Sequence, residues 1–419
     1  MARTVAELPE GARVTDFISL GVISERIPDE HVRQVLRETG RESQRVRKLP
    51  MRVMVYYVIA LALYMEVSYG EVLRCLLEGL EWLGLPVQSI RTVQKSSISR
   101  ARDRLGVEPV RRLYEEIVAP IARPETRGAW YRDWRLASID GSTLDVADTP
   151  ANEKEFGRPG AVRGKAGFPK IRIVSLVENG THVLYGARWG PYLNGSEAAL
   201  AGEVIQSLSG GTLCLADRNF FSYALWKQAT GTGADLLWRV KKNLVLPLSE
   251  RFEDGSYLSA IYPSPQYRKS DRDGIVVRVI EYRLEGIQVQ EDTPEMYRLI
   301  TTVLDPEEAP AKELAALYHE RWEIETAFDE LKTHLRGKGI VLRSRTPDLV
   351  VQEFYGLLLA HYAVRGLMHE AALRADIDPD GVSFVHAVRV VKRKLPGYVA
   401  FPPSGKSGRA ASVDTGGDP

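Results

Sequence analysis

Cysteine is nearly missing from this sequence: Cys75 and Cys214 are the only two in 419 residues, far apart and each in an apolar context. A disulfide framework and a cysteine-rich zinc site are thereby excluded, and two buried thiols in a reducing compartment are expected. Net charge is missing too. Fifty-six basic side chains against 55 acidic ones leave +1 at pH 7, so any hold on nucleic acid must come from local patches and not from bulk charge. Long apolar runs are also lacking. The longest uncharged one, residues 53–65, has 13 residues, short of the roughly 20 that span a bilayer, and it suits a buried helix. No membrane segment, signal-like start or internal repeat is evident, so a cytoplasmic, non-repetitive protein is expected.

What is present is ordinary in amount and unusual in arrangement. Hydrophobic residues make up 44% and charged residues 26%, as in soluble globular proteins. The length exceeds what one core usually serves, so two or three domains are expected. Residues 1–125 read as helical throughout. Asp29 is placed to cap the segment 30–40, residues 50–65 form a strongly apolar helix, and residues 69–83 form another. Seven basic residues follow (Arg91, Lys95, Arg100, Arg102, Arg104, Arg111 and Arg112). The pair Ser96-Ser97 reads as the N-cap of a short helix that stops at Gly106. A small basic helical unit beside Ser and Gln suits contact with a DNA backbone.

From residue 126 the pattern becomes mixed α/β. WRLASID and LCLAD read as strands that end on Asp140 and Asp217. KIRIVSLVEN and THVLYGARWG flank the Asn179-Gly180 turn, a hairpin signal. Ser196 reads as the cap of EAALAGEVIQSL, and ADLLWRV is a further strand. Residues 243–305 carry prolines and short β-type runs, including IQVQ, and read as a mostly β insertion. Residues 306–375 return to the mixed pattern with two long helices, 314–335 and 347–374. Residues 376–419 give a basic helix and a Gly-, Ser- and Pro-rich tail expected to be disordered. The fold class expected is α/β, a mixed sheet flanked by helices with an all-helical N-terminal domain.

Two kinds of acid carry the chemistry. Asp140 and Asp217 each close an apolar run that should be a central strand, where an unpaired carboxylate is partly desolvated and costly unless something positive meets it. On the helix 314–335, Tyr318, Arg321, Glu325 and Lys332 fall at about 0°, 300°, 340° and 320° of a regular helix, on one narrow stripe. Leu314, Leu317, Ile324, Phe328 and Leu331 supply the apolar face. Charged residues on one face are ordinarily solvated pairs, but a file of phenol, guanidinium, carboxylate and ammonium suits phosphates and a metal ion. If the three carboxylates converge, divalent cations relieve their repulsion, with oxygen ligands suited to Mg2+ or Mn2+. Asp145, Asp148, Asp235, Glu323 and Asp329 compete for these roles, Asp329 most closely.

The strand-plus-acid pairs LASIDGST and LCLADRNF, with Tyr318, Arg321, Glu325 and Lys332 at the spacing Y-x2-R-x3-E-x6-K, resemble the DDE transposases of the bacterial insertion-sequence-four family. The resemblance covers residues 130–375. It implies a ribonuclease-H-like core with Asp140, Asp217 and Glu325 as the catalytic triad holding two Mg2+ or Mn2+ ions, and a β insertion between the second and third acids. It implies that Tyr318, Arg321 and Lys332 hold the phosphates of transposon-end DNA. Trp322, with Tyr297 as a second aromatic, matches a position where members that form DNA hairpins stack an extruded base. Basic clusters around these positions suit a DNA channel: Arg163 and Lys165 in the stretch 158–172, Arg239, Lys241 and Lys242, and then Arg336, Lys338, Arg343 and Arg345.

The function expected is cut-and-paste transposition. Metal-dependent cleavage at terminal inverted repeats is followed by strand transfer into target DNA, by a nucleoid-associated homodimer that pairs two ends, with residues 347–374 as the dimer contact. The alternatives are a metal-dependent DNA nuclease of the same fold without strand transfer, and a domesticated DNA-binding protein. A two-carboxylate glycosidase would leave the Lys and Arg file unexplained.

Overall fold

The computed structural model describes residues 20–43, 49–82, 95–160, 167–283, 296–337 and 339–392. Arg91, Arg163, Lys165, Lys338, the run IQVQ and the tail from Pro402 lie outside the described residues.

Six helices open the described chain: α1 (Leu20–Arg26), α2 (Asp29–Glu38), α3 (Met51–Leu63), α4 (Tyr69–Trp82), α5 (Lys95–Leu105) and α6 (Glu108–Ile117). The apolar run becomes α3, started by Pro50 at the N-cap, where a missing N–H and a fixed φ cost nothing. Two expected caps differ. Asp29 lies inside the first turn of α2, behind Pro28 as N-cap, and there it ion-pairs with Arg33 at 2.8 Å. Helix α5 begins at Lys95, so Ser96 and Ser97 are first-turn residues rather than caps. Gly106 does end that helix, at φ +70°, a left-handed conformation that glycine adopts at little cost.

The strands are β1 (Trp130–Tyr131), β2 (Trp134–Asp145), β3 (Lys170–Glu178), β4 (Val183–Pro191), β5 (Thr212–Ala216), β6 (Asp235–Arg239), β7 (Glu250–Arg251), β8 (Tyr257–Ile261), β9 (Ile275–Arg283) and β10 (Met296–Thr301). They form one sheet in the order β4-β3-β2-β5-β6-β10-β9-β8-β7, with β1 beside β2. The first five have the antiparallel meander followed by two parallel strands that a ribonuclease-H-like core requires. The insertion strands continue this same sheet, because β10 pairs antiparallel with β6.

Helices α7 (Pro150–Phe156), α8 (Glu197–Val204), α9 (Tyr223–Thr230) and α10 (Pro265–Lys269) lie between strands. After β10 come α11 (Ala311–Leu317), α12 (Glu323–Asp329), α13 (Pro347–Ala375) and α14 (Phe384–Lys392). Ser196 and Ser222 cap α8 and α9 by accepting from Ala199 N and Leu225 N, the common way to satisfy an orphan first-turn N–H.

Strand alternation divides the core between the two faces of the sheet. Cys214 and Ala216 join the large cluster that reaches α3 and α13, whereas Leu213, Leu215, Leu237 and Leu299 meet Leu314 and Tyr318 on the opposite face. Both cysteines are buried and free, as expected.

Helix α13 corrects one expectation. Residues 350–366 are buried without interruption against α3, α1, α6 and α14, so this helix is an internal pillar and cannot present a dimer surface. Its approach to α3 is so close that a Cβ on Gly356 would lie 2.7 Å from Val58 O.

Three basic residues of α5 and α6 have partners within the protein, whereas Lys95, Arg100 and Arg104 are exposed. Arg102 is buried and donates to Gln352 Oε1 at 2.8 Å, Ser344 Oγ at 3.0 Å and Leu349 O at 2.9 Å, tying α5 to α13. Arg111 and Arg112 pair with Glu108, Glu115 and Glu116. Arg102→Ala is therefore expected to cost about 2–4 kcal/mol of stability, through the acceptors it strands. Denaturant unfolding should show the loss, and DNA affinity per folded molecule should be unchanged.

Candidate active site

Asp140 sits within β2, not at its end. The antiparallel ladder with β3 runs on to Asp145↔Lys170, while the parallel pairing with β5 stops at Ile139↔Ala216. Asp140 is thus the first residue of β2 to lose its parallel neighbour. Asp217 is the first residue after β5, at the matching step of that neighbour. The two carboxylates leave the sheet side by side because one strand ends and the next continues, and adjacent strands lie roughly 4.8 Å apart.

The third acid comes from across the sheet face. Residues 311–335 are helical but not one regular helix: α11 passes into a 3-10 turn at Tyr318–Trp322, then α12, then a π-helical turn at Glu330–Leu335. Over- and under-winding rotates the expected stripe, and such irregular turns recur at functional sites. Tyr318 is buried and donates its hydroxyl to Ala216 O at 3.3 Å, which pins the residue before Asp217. Arg321 is buried and bridges two acids, with Nη1 at 3.3 Å from Asp140 Oδ2 and Nη2 at 3.4 Å from Glu325 Oε1. Lys332 donates to Ser142 Oγ at 3.0 Å. Ser142 shares a strand face with Asp140, two positions on, so two of the stripe's members, Arg321 and Lys332, meet β2. The alternation in LASIDGST already places Ser142 on the Asp140 face.

Burial pushes the Asp140 carboxyl up to about 6, and the nearby Glu325 and Asp217 push the same way, against the Gly141 N–H and Arg321. Burial opposes the charge on Arg321, yet Tyr318, Asp140, Asp217 and Glu325 together hold its pKa above the ordinary value. Burial lowers Lys332, and Arg336 lowers it further. One guanidinium thus serves several carboxylates at a partly desolvated spot, and the acid cluster keeps a deficit of positive charge. All-oxygen donors with that deficit fit a hard divalent cation.

The rival acids have other partners. Asp145 pairs with Lys170, Asp148 with Arg158 at 2.6 Å, and Asp235 accepts from Trp134 Nε1 at 2.8 Å and Thr302 Oγ1 at 2.8 Å. Asp329 faces His334 at 3.2 Å.

Trp322 is 56% exposed beside the site, with the Arg321 guanidinium 5.0 Å from its ring centroid. Tyr297 lies further along the sheet, stacked on Tyr282 at 5.4 Å under Arg239 at 4.2 Å. Lys241 and Lys242 are exposed just beyond β6. The cluster after the π-helical turn is largely structural. Arg336 is buried and donates to Lys332 O at 3.3 Å, and Arg343 donates to backbone carbonyls of Tyr64, Met65 and Val67. Arg345 alone of the described members of that cluster is exposed.

The family described as "Transposase DDE domain" matches residues 133–363, and "Insertion element 4 transposase N-terminal" matches residues 17–115. The chain is similar to the transposase InsG for insertion sequence element IS4 of Escherichia coli (strain K12), at 28% identity over 380 residues, covering 89% of this chain and 82% of that protein. It is similar to the putative transposase InsZ of the same organism at 24% identity over 250 residues, covering 58% of this chain and 77% of the relative. Among solved structures, a piggyBac transposase synaptic complex with hairpin DNA aligns with a TM-score of 0.45 and 12% identity, covering 90% of this chain and 79% of that one.

Proposed function

Because this chain belongs to the insertion-sequence-four family of DDE transposases, we propose that Asp140, Asp217 and Glu325 are the catalytic acids of a DNA transposase that cuts at terminal inverted repeats and transfers the freed strand to target DNA. The observation that carries this residue assignment is Arg321, which reaches Asp140 and Glu325 at once beside the strand end bearing Asp217. The family uses divalent metal, and these three carboxylates would hold two Mg2+ or Mn2+ ions. When bound, the ions would supply activation of water or a 3′-hydroxyl and charge relief at the leaving oxygen.

The chain's own residues do the rest by position. Tyr318 fixes the strand end that carries Asp217. Arg321 bridges Asp140 and Glu325, offsetting their mutual repulsion, and offers positive charge where phosphate charge builds up. Lys332, anchored on Ser142, places a second cation along the same face. Trp322 is the platform for a base turned out of the duplex, with Tyr297 and Arg239 behind it, and Arg163, Lys165, Lys241 and Lys242 follow the backbone. Residues 1–125 form the DNA-binding unit, 126–242 with 306–375 the catalytic unit, 243–305 the insertion, and 376–419 a basic appendage. Two copies pair two transposon ends at the nucleoid.

Strand joining tests this reading. Pre-cut inverted-repeat ends, a supercoiled target plasmid and Mg2+ are expected to give covalently joined product, and Asp217→Ala is expected to give none while still retarding the ends on a gel. Nicking of the plasmid with no joined product would favour a simple nuclease.

A further inference from the structure

At the start of α12, two positions before the proposed catalytic Glu325, lies a second group of metal-type side chains. His182, Glu323 and Asp380 offer ligand atoms that all lie within 4.8 Å of one another. They come from three separate places: the β3–β4 turn, the first residue of α12, and the short 3-10 turn Pro379–Gly381 between α13 and α14. His182 is 3% exposed. Its Nε2 is 3.0 Å from Asp380 Oδ1 and 3.6 Å from Glu323 Oε2, yet it makes no aligned hydrogen bond. A buried polar atom left unpartnered and aimed between two carboxylates needs an explanation.

The other ring nitrogen supplies part of it. Nδ1 lies 3.3 Å from Glu330 Oε1. Glu330 is itself held by Arg365 through Nε at 2.9 Å and Nη2 at 2.7 Å. Nδ1 thus faces both the Glu330 carboxylate and the Arg365 guanidinium, and with Nδ1–H donated to the carboxylate the lone pair of Nε2 turns outward, the usual backing of a metal-bound histidine. Glu323 accepts from Gly180 N, which holds its carboxylate at the turn. Asp380 is partly exposed and gives an ion a way in.

We propose that His182 Nε2, Glu323 and Asp380 bind a divalent transition cation, Zn2+ or Mn2+, as a structural clamp distinct from the all-oxygen triad. One imidazole with two carboxylates is a borderline donor set that these ions accept. Bonds of about 2.0–2.2 Å span ligand pairs up to roughly 4 Å apart, so closing the group needs movements below an ångström. The clamp joins the hairpin turn, the start of α12 and the α13–α14 connection. Glu323 stands two positions before Glu325, so the ion sets where the helix carrying the third acid begins.

The test uses the full chain carrying Asp217→Ala, so that the triad is impaired. Zn2+ is counted by equilibrium dialysis, and Co2+ serves as a visible-absorption probe, since a nitrogen-ligated, low-coordinate Co2+ absorbs far more strongly than one in oxygen-only sites. The expected result is one tightly held Zn2+ and a Co2+ band, both lost on adding His182→Gln. Asp380→Asn changes a partly exposed side chain and should weaken Zn2+ at least tenfold with an unchanged circular dichroism spectrum, so it decides the matter if the His182 variant fails to fold. In the rival arrangement Nδ1 accepts from Arg365, and Nε2–H points at Asp380. That arrangement binds no ion, and the absence of a Co2+ band or indifference of Zn2+ binding to both variants would establish it and overturn the clamp.

Discussion

Asp140→Asn is expected to lower strand cleavage by on the order of a thousandfold or more while making the metal-free protein more stable at neutral pH. The carboxyl is three-quarters buried (25% exposed) and repelled by Glu325 and Asp217, so its folded pKa is about 6 against an ordinary 3.8. The folded state therefore binds this proton more tightly than the unfolded chain does. Below the unfolded value the group costs nothing. As pH rises from about 4 through about 6 the folded state loses that advantage, and above this range the full penalty stands, about 2–3 kcal/mol for a shift near two units. The asparagine variant should match the parent near pH 4 and exceed it by that amount at pH 7.5, as urea unfolding will register. Mg2+ should stabilise the parent and have much less effect on the variant. A variant that still cuts, or that unfolds at lower urea than the parent at pH 7.5 without metal, would remove Asp140 from the site.

Glu330→Ala should produce the largest loss of stability, about 3–5 kcal/mol, because it leaves a buried guanidinium uncompensated. Arg365 is 1% exposed as a side chain and meets Glu330 through two parallel hydrogen bonds. Burial pushes the guanidinium down only to about 10, so it stays charged at neutral pH. The nearby His361, which burial drives down to about 3 and keeps neutral, supplies no negative charge in its place. Glu330→Gln keeps a hydrogen-bond acceptor and should cost less. Pairing Glu330→Leu with Arg365→Met should recover much of the loss, since an apolar pair of similar volume needs no desolvation. Urea unfolding of the four proteins decides it; a Glu330→Ala variant within about 1 kcal/mol of the parent would mean that the pair is not a strut.

The stretch 314–335 takes part in both sites: it carries Glu325, linked to Asp140 through Arg321, on its open side and Glu330 on its closed side. Exposure separates their uses. Glu325 is half open (49% exposed) and available to substrate, whereas Glu330 faces α13 and the β3–β4 turn and holds the helix in place.

The sequence alone determined the order of the strands, the hairpin at Asn179-Gly180, the acid that closes β5, and the identity and spacing of Tyr318, Arg321, Glu325 and Lys332. Each of these is written locally, in alternation, turn residues and helical period. Tertiary structure decided what local pattern cannot hold. Asp140 proved to be mid-strand because the pairing length of β2 is set by β3, some 30 residues away in the chain. The apolar helix 347–375 proved to be the inner pillar and not a dimer face, since an apolar surface does not say what covers it. Arg102, Arg336 and Arg343 donate to acceptors within the protein, and His182 met Glu323, Glu330 and Asp380, because the partner of a charge is chosen by distance in space and burial, neither of which is legible along one chain.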